Sequence, residues 1–136
     1  MRNLILLSMA LFVGFSISCA RQATNFEAGM RMSNTLYSDL APQVSTALQS
    51  TPENSPRAKH LELASQKLDE YKKTYEDCSK AIDAWKSTGQ QPDYLMDLYK
   101  EMWKNLLEAQ NLAASVYIYA SECVANTTLK GKACKN

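Results

Sequence analysis

The chain has 136 residues, enough for one domain and too few for two. Fifteen Lys and Arg against 14 Asp and Glu leave a formal charge of +1, which excludes long-range electrostatic capture of nucleic acid or an anionic membrane. Four Gly and four Pro are too few for a loop-rich or all-β chain, so the composition points to helices.

Residues 1–19 read as an export signal. Arg2 gives a positive start, and residues 4–15 form an apolar run of h-region length, short for a bilayer span. Small residues follow at Ser16, Ser18 and Ala20. The stretch Phe15-Ser16-Ile17-Ser18-Cys19 resembles a bacterial lipobox. Ile17 and Ser18 fit the two positions before the cysteine, and Ser16 stands where that pattern usually has Leu, Val or Ile. The resemblance covers the leader alone. It implies that Cys19 becomes the first mature residue and carries the lipid. Ala20, where an Asp would retain the protein at the inner membrane, implies an outer-membrane or cell-surface lipoprotein. Two alternatives stay open at this point. Cleavage after Ala20 would discard Cys19 and release a periplasmic or secreted protein, and an uncleaved leader would be an anchor in itself.

A first helix is expected over residues 25–49. Thr24 followed by Glu27 has the spacing of a capping box. Its apolar seam, Phe26, Met30, Ser33, Tyr37, Leu40, Val44 and Ala47, steps by four and three. Gly29 weakens the first turns, and Pro42 should bend the helix or restart it because its ring opposes the Ser38 carbonyl. Met30 and Met32 suggest a soft-metal pair, but only Met30 lies on the seam, where a gap-filling role suits it better.

A polar loop follows, and Ser55 with Pro56 then opens a second helix over 56–87. Its seam is Leu61, Ala64, Leu68, Tyr71, Tyr75, Cys78, Ile82 and Trp85. Asp69 with Lys73 and Glu76 with Lys80 are spaced for surface pairs, and Gly89 is the natural left-handed stop. His60, the one histidine, has no second ligand at metal spacing and reads as a surface residue.

Pro92 and Asp93 start the third helix, expected over 92–125. Its seam is the longest in the chain: Leu95, Tyr99, Met102, Leu106, Ala109, Ala113, Val116, Ala120 and Cys123. A second apolar row beside it carries Leu98, Trp103, Leu107, Leu112, Tyr117, Tyr119 and Val124, too wide a face for one neighbour. A polar tail, 127–136, closes the chain. Asn126-Thr127-Thr128 within this end is a formal glycosylation sequon.

The cysteines can then be placed. With helices two and three folded back at Gly89, Cys78 and Cys123 sit about 33 Å apart along the hairpin, beyond bridging. Cys123 and Cys134, eleven residues apart across the tail, are expected to pair, worth about 3 kcal/mol. Cys78 is left free and buried.

Together these readings predict an all-α, up-down-up antiparallel three-helix bundle over residues 20–126, with long coiled-coil-like second and third helices. The lipid end would sit beside the Gly89 turn. No Gly-rich phosphate loop, nucleophile elbow, metal-ligand run or haem motif is present, so neither a cofactor nor catalysis is expected. The expected function is a non-catalytic, lipid-anchored interaction module of the bacterial cell envelope. It would dock on an envelope protein, or on a second copy of itself, through Trp103, Leu107, Tyr117 and Tyr119. The alternatives are a carrier of an apolar small molecule in an aromatic-lined slot, and a small helical inhibitor. For the last, Tyr75-Glu76-Asp77-Cys78 with Glu122-Cys123 is similar to the cysteine-bearing helices of plant invertase and pectin methylesterase inhibitors, although that family's fourth helix and N-terminal cysteine pair are missing.

Overall fold

A computed structural model describes the backbone of residues 2–130 and the side chains of residues 22–116. Three helices make up the fold: α1 (Arg2–Ser50), α2 (Pro56–Thr88) and α3 (Leu95–Lys130), with no strand among the described residues. All three contribute to one core, in which Met30, Leu40 and Val44 of α1 meet Leu68, Tyr71 and Trp85 of α2 and Met102, Leu106 and Ala109 of α3. Among the described side chains the seams in the sequence run along the buried stripes of this helical bundle, with Phe26, Tyr37, Ala47, Tyr75 and Tyr99 partly exposed.

The ends of α2 follow from local chemistry. Ser55 is extended and its Oγ accepts the Ala58 N–H at 3.0 Å, while Pro56 occupies the first turn, where no N–H is needed. At the other end Gly89 takes φ 72°, and its N–H donates to the Trp85 carbonyl at 2.7 Å. Only glycine reaches that left-handed conformation without a Cβ penalty. α1 ends where Thr51 Oγ1 bonds back to the Ala47 carbonyl at 2.7 Å.

Three boundaries differ from expectation. α1 does not begin at residue 25; it is continuous from Arg2, and Thr24 lies within it. No Pro or Gly stands between residues 15 and 28 to interrupt helical backbone, so the Thr24–Glu27 spacing does not act as a start. α3 begins at Leu95, not at residue 92, because the Leu95 N–H donates to the Pro92 carbonyl at 3.1 Å and makes residues 92–94 a turn. It runs on past residue 125 to Lys130, immediately before Gly131, so the expected tail 127–136 starts as helix. Pro42 is inside α1, and the buried Leu40 and Val44 on either side keep the stripe intact across it.

Candidate functional site

Two side-chain clusters tie the helices together, and an apolar flank of α3 lies beside them. The first cluster is aromatic. Phe26 of α1 meets Trp85 of α2 edge-on at 6.1 Å between ring centroids, and Tyr99 of α3 edge-on at 5.0 Å. Tyr99 in turn meets Trp103 at 6.5 Å. These are the T-shaped geometries that ring quadrupoles favour. Lys86 and Glu27 form an ion pair across α2 and α1 at the same level. Gly29 explains how close α1 and α3 come here. A Cβ on Gly29 would lie 1.8 Å from Tyr99 Oη, so the glycine makes room for the phenol.

The second cluster is a polar node in the middle of the core. Ser33, fully buried, donates to the Met30 carbonyl at 2.8 Å. Its Oγ lies 2.9 Å from Tyr71 Oη and 3.8 Å from Met102 Sδ, so one hydroxyl touches all three helices. With the serine proton on Met30, the Tyr71 O–H donates to Ser33. Tyr37 stacks on Tyr71 at 5.1 Å with planes 22° apart, and Tyr75 lies at 5.8 Å. Burial pushes the Tyr71 phenol up to about 12, against a smaller downward pull from the Ser33 hydrogen bond. Among the described residues no buried side-chain nitrogen or oxygen lacks a hydrogen-bond partner.

The α3 flank is built by the second apolar row. Trp103 is half-buried against the aromatic cluster, and Leu107, one turn on, is 46% exposed. Together with Tyr99 and the polar Lys100, Lys104, Glu108 and Asn111 they line a shallow open groove. Glu108 is held by Lys67 of α2 at 3.4 Å, with Glu70 on the same ammonium at 2.6 Å. Tyr117 and Tyr119, expected to extend this flank, lie outside the described side chains, as do Cys19, Cys123 and Cys134.

Other candidates resolve into structural roles. Cys78 is a free thiol with no exposed surface, pushed up to about 11 first by burial and then by neighbouring Asp77. His60 is exposed, with Nδ1 2.8 Å from the Pro56 carbonyl at the start of α2. Among the described residues no three His, Cys, Asp or Glu side chains are grouped to hold a metal ion, and no helix is long and apolar enough to cross a membrane. Lys80 reaches Asp77 at 3.7 Å, one turn away, in place of the expected Glu76.

Two residues carry more than their sequence suggests. In the sequence Ser33 is one position of the α1 seam, and Gly29 a weak point. A serine inside an otherwise apolar stripe, with a tyrosine on the facing stripe, is the signal for the first. The second has no signal in a single sequence, since it depends on the rotamer of Tyr99. No protein-family model, curated protein or solved structure matches this chain.

Proposed function

We propose that this chain is a non-catalytic interaction module of the bacterial cell envelope, anchored by lipid at Cys19, which docks on a partner protein through the outer flank of α3. The observation that carries this reading is the exposed Leu107 beside the half-buried Trp103, an apolar strip among charged residues next to a seam that is already filled. Interfaces are built in that manner, with an aromatic anchor at the centre and polar residues around it. The up-down-up arrangement belongs to the same reading. It is supported by the order of the inter-helix pairs: Glu27 with Lys86 and Ser33 with Tyr71 descend α2 as α1 ascends, and Lys67 with Glu108 suits a return along α3. Three-and-four spacing along α2 and α3 supports coiled-coil-like packing of that pair.

A carrier would need the aromatic seam to open into a cavity. That seam is occupied instead by Tyr71, Trp85, Met102 and Leu106, each at most 2% exposed. The interaction reading is therefore preferred.

The test is site-specific photocrosslinking of the full chain in bacterial membranes, with a benzophenone side chain at Leu107 and a control at exposed Lys72 of α2. A discrete adduct at 107 and none at 72, identified by mass spectrometry as one envelope protein or a second copy of the chain, is the expected result. An uncrosslinked monomer at both positions would remove the docking role of α3.

A further inference from the structure

We infer that the end of the bundle formed by the α2–α3 turn rests in the headgroup layer of the membrane, with Tyr94 and Met96 dipping into it. This rests on the anchored reading above and goes beyond it, from a tether to a seated orientation.

The first observation is the shortness of the tether. Ala23 is already packed into the core at 5% exposure, four residues after Cys19. Four residues reach at most about 14 Å when fully extended and about 6 Å as helix. A lipid on Cys19 therefore holds this end of the bundle against the surface with almost no slack. An uncleaved leader, whose apolar run stops at residue 15, would hold the same end within about 12 Å as helix.

The second observation is which end this is. Phe26 packs on Trp85 and Tyr99, and Glu27 pairs with Lys86, so Ala23, one turn earlier, is level with the Gly89 turn and the start of α3. The headgroup layer is about 5–8 Å thick on each side of the hydrocarbon, comparable to the helical reach of the tether.

The third observation is what that end exposes. Tyr94 is 58% exposed and Met96 42% exposed, two of the five large apolar residues left open among the described residues. Tyrosine has an apolar ring and a polar tip, which suits the boundary between headgroups and acyl chains. The nearby charges do not favour an anionic surface: Asp93 and Asp97 outnumber Lys100, and Lys86 is taken by Glu27. The contact is therefore apolar and interfacial, and needs no anionic lipid.

The experiment is hydroxyl-radical footprinting of the full chain, expressed with its leader, purified from bacterial membranes and reconstituted in phosphatidylethanolamine–phosphatidylglycerol vesicles. Met32 on α1, 67% exposed and some two turns further from the anchor, is the internal reference. Flotation reports the anchor separately. The expected result is a floating chain in which oxidation of Met96 relative to Met32 falls several-fold below the ratio of their exposures, with Tyr94 protected too. A floating chain with Met96 oxidised in proportion to its exposure would overturn the seated orientation and leave the anchor standing. Equal protection of Met32 and Met96 would overturn it as well, since the cover would not be confined to this end. A chain that does not float would remove both the anchor and the orientation.

Discussion

Replacing Ser33 by alanine isolates the polar node. The substitution removes the oxygen that accepts from Tyr71 at 2.9 Å, while the phenol stays in a site only 1% exposed. A buried hydroxyl left without its partner costs about 1–3 kcal/mol. Alanine returns up to about 0.5 kcal/mol of helix propensity. The net expectation is a loss of about 0.5–3 kcal/mol. Tyr71→Phe is the milder change, because Ser33 keeps its bond to the Met30 carbonyl at 2.8 Å, and it should cost about 0.5–1.5 kcal/mol. Removing both partners leaves nothing unsatisfied, so the double variant should be less destabilised than the sum of the singles by about 1 kcal/mol or more. Urea denaturation followed by circular dichroism and by tryptophan fluorescence measures all four proteins, with coincident transitions as the check on two-state behaviour. Additive losses, or a Ser33→Ala variant as stable as the parent, would refute the node and leave Ser33 a space-filler.

Gly29→Ala should fail to give the stabilisation of about 1 kcal/mol expected of that change in a helix. Its Cβ meets Tyr99 Oη at 1.8 Å, and the Tyr99 ring is boxed by Phe26 and Trp103, so overpacking of about 1–3 kcal/mol opposes the gain. In a Tyr99→Leu background the same substitution should become stabilising. A thermal melt reads both, and a higher midpoint for Gly29→Ala alone would mean that the ring moves freely. Alkaline pH should unfold the chain through Cys78 and Tyr71, whose folded values are raised to about 11 and about 12 from 9.0 and 10.0. Both bind their protons more tightly folded than unfolded, so their contribution is whole below about pH 9 and is lost as pH rises through 11 and 12. Denaturation midpoints across pH 8–12 test this, with Cys78→Ala and Tyr71→Phe each flattening part of the slope; a flat profile in the parent would contradict it.

What was legible in the sequence was what local chemistry decides. Ser55 with Pro56, and Gly89, mark the ends of α2 because cap and turn geometry depend on a few neighbouring atoms. The three-and-four spacing of Leu61, Ala64, Leu68 and Tyr71 marks a buried stripe because helix geometry fixes which residues share a face. The Thr24–Glu27 spacing starts no helix because a cap signal acts only where the preceding backbone leaves the helix, and residues 16–24 contain nothing that forces it out. At the candidate site, Trp103 and Leu107 were legible as a surplus apolar row, since one seam cannot cover both flanks of α3. The Gly29–Tyr99 approach and the Ser33–Tyr71 bond were not. Each depends on which residues of two distant helices stand opposite each other, and periodicity leaves that open.

The Ser33 hydroxyl closes that opening. Seams that step by four and three repeat every seven residues, so sliding α1 along α2 by one repeat presents another apolar stripe of similar quality. Such a slide would set Leu40 or Phe26 against the Tyr71 phenol in place of Ser33 and bury an O–H with nothing to receive it. At about 1–3 kcal/mol per unmade bond the correct alignment is favoured by a factor of about 5–150 over its seven-residue neighbours. One oxygen atom thus works as an index mark on an otherwise repetitive scale. It selects, among alignments seven residues apart, the one in which Ala23 lies level with the Gly89 turn.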